Sequence, residues 1–309
     1  MPDIYNKNMK VGILIPAYNE FENIPHLITM LDEFIKKHPD YEVIFIDDGS
    51  TDYTQGVLKE YQRDYLKVVV HKKNLGKTQA IISGSKATDA EILVIYDADM
   101  QFDINDVPRL VDLIVNKNAD VATGWKQGKY EKKFISSVYN WCGRRLFNLQ
   151  VHDMNAIKAF RREVLQAIPL RRDWHRYIVP LASEYGFAIK EIPVDLRPRL
   201  FGKPKYQKKS RIIIGFFDLL AVKFQLTFLQ KPLLYFGTAG MLQILLGIIT
   251  GIIAVVLRIF GHGFRPLLYL VILLIVSGIL FFALGLIGES IRAIIDRLEK
   301  FELKNGKEK

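Results

Sequence analysis

The sequence predicts an α/β protein: a mostly parallel sheet with helices on both faces, followed by an interfacial helix and two transmembrane helices. Three observations predict it. Between residues 10 and 125, short apolar runs alternate with segments of helical spacing. Those runs are apolar on both faces, as strands of a parallel sheet covered on both sides must be. Farther on, Pro232 to Leu257 and Pro266 to Gly288 contain no charged residue.

The elements follow in order. KVGILIPAY (10–18) reads as a strand, and NIPHLITMLDEFIKKH (23–38) puts Ile24, Leu27, Ile28, Leu31 and Ile35 on one helical face. YEVIFIDD (41–48) is a second strand and TDYTQGVLKEYQRDY (51–65) a helix. LKVVVHK (66–72) is a third strand and GKTQAIISGSKAT (76–88) a helix. EILVIYDAD (91–99), INDVPRLVDLIVNKN (104–118) and DVATGW (120–125) complete the alternation. Residues 126–200 are less regular and carry many basic and aromatic side chains. In 211–228, Arg211, Asp218 and Gln225 recur seven apart on an otherwise apolar helix. Such a helix suits the membrane interface, although a plain core helix would read alike.

The two uncharged stretches span about 26 and 23 residues, or roughly 39 and 35 Å as helix, enough to cross a hydrocarbon core of about 30 Å. The expected division is a domain over 1–208, interfacial amphipathic helices over 209–231, two spans within 232–290 and a basic tail over 291–309. Lys203, Lys205, Lys208, Lys209, Arg211, Lys223 and Lys231 precede the first span. Arg292, Arg297, Lys300, Lys304, Lys307 and Lys309 follow the second, whereas the intervening loop has only Arg258, His262 and Arg265. The positive-inside rule then puts the large domain and both termini in the cytoplasm, in a multi-pass protein of the cell membrane. No signal peptide is expected, because VGILIPA is too short an apolar run and lacks a cleavage site. The lone Cys142 excludes an intrachain disulfide and fits a reducing compartment. A net charge of +10 suits anionic lipid or a phosphorylated substrate. Nucleic acid is disfavoured, since much of the basic excess flanks the spans.

Ligands of open parallel sheets bind at the carboxyl ends of strands. Three clusters fall there: PAYNE (16–20), DDGSTD (47–52) and DADMQ (97–101). Asp97 and Asp99 pose a particular problem. Residues i and i+2 of a continuing strand point to one side, and two adjacent carboxylates repel unless a cation joins them or one is protonated. A positive partner is therefore expected.

In this order the clusters resemble the inverting family 2 glycosyltransferases of the GT-A fold, over residues 10–205. HKKNLGKTQAI (71–81), VHDMNAIKAFRREVL (151–165), HRYIVPLASEYG (175–186) and EIPVDLRPRLFGKPKY (191–206) are similar to the polyprenyl-phosphate sugar transferases, the group of dolichol-phosphate mannose synthase and bactoprenol glucosyltransferase. The resemblance implies that Asp97 and Asp99 hold Mg²⁺ or Mn²⁺ against a donor diphosphate, with Gln101 beside the ion. Hard cations take such oxygens. It also implies that Pro16, Tyr18, Glu20, Asp48, Lys77, Asp97 and Ala98 line the nucleotide-sugar pocket. Asp48 would lie near base or ribose and Lys77 near a phosphate. Asp153, with Asp99 and Gln101, belongs to the catalytic set by the same carry-over. Its role on the acceptor side stays open between base and orienter, because a phosphate monoester with a second pKa near 6 is already a nucleophile.

The implied partners are a UDP- or GDP-hexose, glucose or mannose first, a polyprenyl phosphate and the membrane. A homo-oligomer is equally admitted. Cations for the acceptor phosphate would come from Lys129, Lys132, Lys133, Arg144, Arg199 and Lys205. Here the chain departs from the group: Lys129-Tyr130-Glu131 replaces an Arg-x-Asp, and Gly202-Lys203-Pro204-Lys205-Tyr206 replaces Gly-x-Ser-Lys-Tyr. Lysine lacks arginine's bidentate fork. Two rival functions remain: transfer to another membrane acceptor such as a diacylglycerol or growing glycan, and a non-catalytic nucleotide-sugar-binding partner of a lipid flippase.

Overall fold

The computed structural model describes residues 9–128, 133–199, 201, 210–228, 230–263 and 265–305. They form two compact units, one ending at Ile212 and one beginning at Ile213.

The first unit is built on a seven-stranded sheet in the order β3-β2-β1-β4-β6-β5-β7. β1 (Val11–Ala17), β2 (Tyr41–Asp47), β3 (Leu66–Val70) and β4 (Ile92–Ile95) are mutually parallel, connected through α1 (Ile24–Lys37), α2 (Thr54–Glu60) and α3 (Lys77–Lys86). After α4 (Asp106–Val115) come β5 (Val121–Gln127), α5 (Lys133–Phe147), β6 (Lys158–Arg161), α6 (Arg162–Ala167), a 3₁₀ turn at Trp174–Tyr177, α7 (Ile178–Glu184) and β7 (Ile189–Asp195). β7 pairs in parallel with β5, while β6 runs antiparallel between β4 and β5.

Two features differ from the sequence pattern. The irregular stretch after residue 126 contains β6, which fills the centre of the sheet. β3 is the sheet edge, and its Val68 and Val70 are exposed, so its apolar run is not covered on both faces. Elsewhere the covering is two-sided. Ile13, Ile15, Phe45 and Val94 share a core with Ile24, Leu27, Ile28 and Leu31 of α1 and Val107, Leu110 and Ile114 of α4. Each such side chain contributes about 1.5–3 kcal/mol on full burial. α3 covers the other face, where Gly84 lies against Ile46 and Leu14.

The second unit contains most of α8 (Ser210–Thr227), a short π-helical turn at Leu233–Gly237, α9 (Thr238–Ile259) and α10 (Arg265–Asn305). α8 exposes Phe216, Leu220 and Phe224 along one line and buries Leu219, Val222 and Leu226 along another. Leu233–Ile259 and Arg265–Leu298 are long and apolar enough to cross a membrane, and most of their side chains point outward. α10 does not stop at the last apolar residue but carries the basic tail as helix to Asn305.

α9 and α10 meet through glycine. A Cβ on Gly240 would lie 2.5 Å from the Gly278 carbonyl oxygen, and one on Gly278 would lie 2.7 Å from that of Gly240. Small residues at such a crossing let two backbones approach, which matters in lipid where apolar burial drives no association. Gly240→Leu is expected to destabilise this hairpin by about 1–3 kcal/mol, the usual cost of overpacking. A lowered thermal midpoint of the detergent-solubilised protein would register it, and an unchanged midpoint would show that the helices part freely.

Candidate active site

The parallel register brings β1, β2 and β4 to one edge, with Ala17 opposite Asp47 and Leu14 opposite Ile95. A cleft of about 720 Å³, including its open mouth, forms there. Pro16, Tyr18, Glu20, Asp48, Lys77, Asp97, Ala98, Asp99 and Arg199 all line it.

The first two clusters are stapled together. The Asn19 amide donates to Ser50 Oγ at 2.9 Å, Thr51 N–H donates to Asn19 Oδ1 at 2.8 Å, and the Glu20 amide donates to Thr54 Oγ1 at 2.9 Å. Gly49, at φ 69°, passes so close to Lys73 that a Cβ would fall 2.4 Å from its carbonyl carbon. That contact seats the 71–76 loop on the Asp-Gly turn. Asp48 then fixes the loop: its Oδ1 accepts from Leu75 N–H at 2.9 Å and faces His71 Nδ1 at 2.8 Å, and its Oδ2 accepts from Gly76 N–H at 2.8 Å. Both oxygens are thereby engaged with the loop that delivers Lys77, the first residue of α3.

β4 ends at Ile95, and the chain turns through Met100 at φ 52°. Tyr96 Oη closes the turn on the Phe102 carbonyl at 2.6 Å. Asp97 and Asp99 project from this turn, and each carboxylate meets its own cation. Lys77 Nζ donates to Asp97 Oδ1, and Arg199 Nη2 donates to Asp99 Oδ2 at 2.5 Å. The positive partner expected from the sequence is thus supplied by two side chains. Enclosure by the protein works to raise the Asp97 carboxyl, but Lys77, together with Lys158 and Arg199, holds the group below the usual aspartate value. Burial and the neighbouring Asp97 charge raise Asp99 despite Arg199. Gln101 clamps the segment that presents Arg199. Its side-chain amide donates to the Arg197 carbonyl at 3.3 Å, and its carbonyl accepts from Arg197 N–H at 2.8 Å.

Behind Asp97 lies a small cavity shared by Lys77, Asn155, Lys158 and His175. Asp153 is set deeper, 2% exposed, with Oδ1 accepting from Asn155 N–H at 2.9 Å and Oδ2 3.3 Å from Lys126 Nζ. Lys158 Nζ donates to the Met154 carbonyl at 3.2 Å. Burial, then the charge of Lys77, press its ammonium pKa down to about 7. Burial, reinforced by Lys77, holds His175 well below the usual imidazole value, and its Nδ1 lies 3.2 Å from Thr78 Oγ1.

Among the expected acceptor cations, Arg199 joins the cleft. Arg144 lies apart, among Trp141, Arg145, Asn148 and Leu149. Lys133 begins α5, and Lys129, Lys132 and Lys205 lie outside the described residues. The sequence singles out neither Lys126, Lys158 nor Thr78. A signal existed for one of them: Lys158 interrupts the apolar run Ala156, Ile157, Ala159, Phe160, a place where a lysine is costly unless it is used.

The donor set suits a divalent cation. Asp97 Oδ2 is outside the salt bridge to Lys77, and among the described residues Asp99 Oδ1 accepts only the long 3.4 Å bond from Gln101 N–H. Among the described residues no group of three or more carboxylate, imidazole or thiol side chains forms a protein-only cage. Mg²⁺ and Mn²⁺ fit such a site when phosphate oxygens and water complete the shell.

Residues 12–168 match the family model described as Glycosyl transferase family 2. The chain is 25% identical to the dodecaprenyl-phosphate galacturonate synthase of Rhizobium johnstonii, over 92% of this chain and 88% of that protein. It is 29% identical to the undecaprenyl-phosphate 4-deoxy-4-formamido-L-arabinose transferase of an Enterobacter species, over 92% and 89%. Among solved structures it resembles glucosyl-3-phosphoglycerate synthase from Mycobacterium tuberculosis bound to Mn²⁺, UDP-glucose and phosphoglyceric acid. That likeness has a TM-score of 0.56 at 17% identity, covers 72% of this chain and 82% of the other, and concerns the fold.

Proposed function

The chain belongs to glycosyl transferase family 2, and from that premise we propose that it transfers one sugar from a nucleotide-sugar donor to polyprenyl phosphate, with inversion at the anomeric carbon. One observation carries the reading. The strand-end cleft sets Asp97 against Lys77 and Asp99 against Arg199, in a chain that also has two helices apolar enough to span a membrane. Among the described residues, Lys77 and Arg199 are the cations that line the cleft, each beside one of the paired aspartates. Two separate cations can each grip a phosphate group, which favours holding two anions side by side, a diphosphate and a phosphate monoester. The polyprenyl-phosphate relatives support the acceptor class.

Asp97 and Asp99 would hold Mg²⁺ or Mn²⁺, which would supply stabilisation of the charge on a departing nucleoside diphosphate. Lys77, at the start of α3, is placed to take a donor phosphate, and Arg199 the acceptor phosphate. An acceptor oxygen forms the new bond to the anomeric carbon as the bond to the diphosphate breaks. With a second pKa near 6 that oxygen needs no strong base. Asp153, enclosed and engaged at both oxygens, suits orientation better than proton removal. Asp153→Asn is therefore expected to lower turnover by a factor nearly constant from pH 5 to 8. A loss confined to the acid side, where the acceptor phosphate is a monoanion, would make Asp153 the base.

Glucose and mannose donors head the list of substrates. Membranes incubated with radiolabelled UDP- and GDP-sugars, uronates and aminopentoses included, and with polyprenyl phosphate should yield one labelled lipid dependent on that phosphate. Label in a diacylglycerol glycoside, or none with any donor, would contradict the proposal. The basic flanks of the spans support an orientation with the large domain and both termini in the cytoplasm. External protease on sealed cells is expected to spare residues 1–231 and to reach only the loop near His262. Cleavage of the large domain from outside would reverse the topology.

A further inference from the structure

Arg144 stands away from the cleft, and the chemistry above leaves it unused. It belongs to the last turn of α5, a helix with two unlike faces. Asn140, Gly143 and Phe147 are buried, and Asn140 Oδ1 accepts from Met154 N–H at 3.3 Å. Val138, Trp141 and Arg145, three and four residues apart, line the opposite face. There Trp141 is 60% exposed and Val138 46%. The helix carries Lys133, Arg144 and Arg145 and no acidic residue. Among the described residues neither arginine meets a carboxylate, and Arg144 Nε is buried without a hydrogen-bond partner. Trp141, Arg144, Arg145, Asn148 and Leu149 rim a shallow hollow of about 640 Å³, its open mouth included.

Cations in a last helical turn suit the helix dipole, but the dipole does not account for a bare tryptophan among them. An indole has an apolar body and a polar N–H, and such rings settle at the head-group level of a bilayer. Arginines beside it can grip phosphate oxygens, and Arg144 has donor capacity that no described group uses. We propose that this face of α5 docks on an anionic bilayer surface, with Val138 and Trp141 at the head-group level and Arg144 and Arg145 on phospholipid phosphates. The bilayer is the occupant because the face joins apolar and cationic groups without an acid, in a chain with two helices apolar enough to hold it at a membrane. The buried face of the same helix holds Met154, next to Asp153. In the transfer reading given above, docking would therefore keep the acceptor side of the site where lipid phosphates lie.

The test uses the full-length protein, one chain per nanodisc, with Trp125→Phe and Trp174→Phe so that Trp141 alone emits. The discs contain phosphatidylcholine with or without phosphatidylglycerol, and a phospholipid carries a nitroxide quencher either high or deep on its acyl chain. Neither donor nor polyprenyl phosphate is added. In phosphatidylglycerol discs Trp141 should be quenched, more by the shallow nitroxide than by the deep one, and should be shielded from iodide. Each arginine is expected to shift the ratio of docked to free about fivefold, the scale of one basic residue at an anionic surface. Arg144→Gln with Arg145→Gln, omission of phosphatidylglycerol, and high salt should each weaken the quenching. Should the tryptophan background fail to fold, an NBD label on Cys142, the sole cysteine, reports from the same turn. No quenching by lipid, or quenching indifferent to both arginines and to phosphatidylglycerol, would overturn the proposal. Quenching that appears only with added polyprenyl phosphate would also overturn it and give the patch to the acceptor. Quenching that needs two chains in one disc would give the patch to a second copy instead. With neither substrate present, a failure of the transfer reading would show as absent product in wild type and leave this measurement intact.

Discussion

Asp99→Ala and Asp97→Ala are each expected to lower transfer by roughly 10²–10³-fold, the size typical of removing one group that stabilises developing charge. The two carboxylates leave the turn after β4 together and face the same cleft, each holding a cation. Loss of either leaves a guanidinium or an ammonium without its counter-charge and halves the oxygen donors for a divalent ion. EDTA should reproduce the loss in wild type, and Mg²⁺ or Mn²⁺ should reverse it. The folded protein should survive both changes, because the turn is closed by the backbone and by Tyr96, and the carboxylates add only the long bond from Gln101 N–H to Asp99. Full activity in a metal-free preparation, or in either variant, would remove the pair from the chemistry.

Arg199→Ala is expected to lower transfer to polyprenyl phosphate by about 10- to 100-fold, since a hydrogen bond to a charged group contributes about 1.5–3 kcal/mol. Arg199→Lys should recover only part, keeping the charge and losing the fork. The loss should appear mainly in KM for the lipid, while slow hydrolysis of the donor by water persists. A pH effect should accompany it. Asp99 is already raised by burial and by Asp97, and Arg199, with a smaller effect of Lys77, opposes this. Without the guanidinium the carboxyl rises further, so the acid limb of the rate profile should move to higher pH. Equal losses in hydrolysis and transfer would reassign Arg199 to the donor.

Much of this architecture was legible in the residues. VGILIPA, YEVIFID and the run ending at Ile95 are apolar throughout, and burial on both sheet faces demands that composition. The rule that ligands meet parallel strands at their carboxyl ends then gathered Pro16, Asp48 and Asp97 into one cleft before any coordinates. β6 was not legible. Four residues beginning with a lysine carry no usable period, and the antiparallel insertion is decided by which gap in the sheet remains to be filled. The cation partners were hidden for another reason. Lys77 meets Asp97 across 20 residues and Arg199 meets Asp99 across 100, distances over which no local spacing applies. Asp48 shows the same limit on a smaller scale. Its motif announces a strand-end acid, and only the fold reveals that both its oxygens hold the loop leading to Lys77.

The central claim, that a sugar is joined to the phosphate of an isoprenoid lipid at the Asp97 and Asp99 cleft, is met most directly by mass and ³¹P spectra of the lipid product. Purified protein would be given polyprenyl phosphate, a divalent ion and the donor that labels membranes. The expected product is a polyprenyl phosphosugar: a phosphodiester with the anomeric configuration opposite to the donor's, formed by wild type and not by Asp99→Ala. A neutral glycolipid, a product of retained configuration, or equal yield from Asp99→Ala would contradict it.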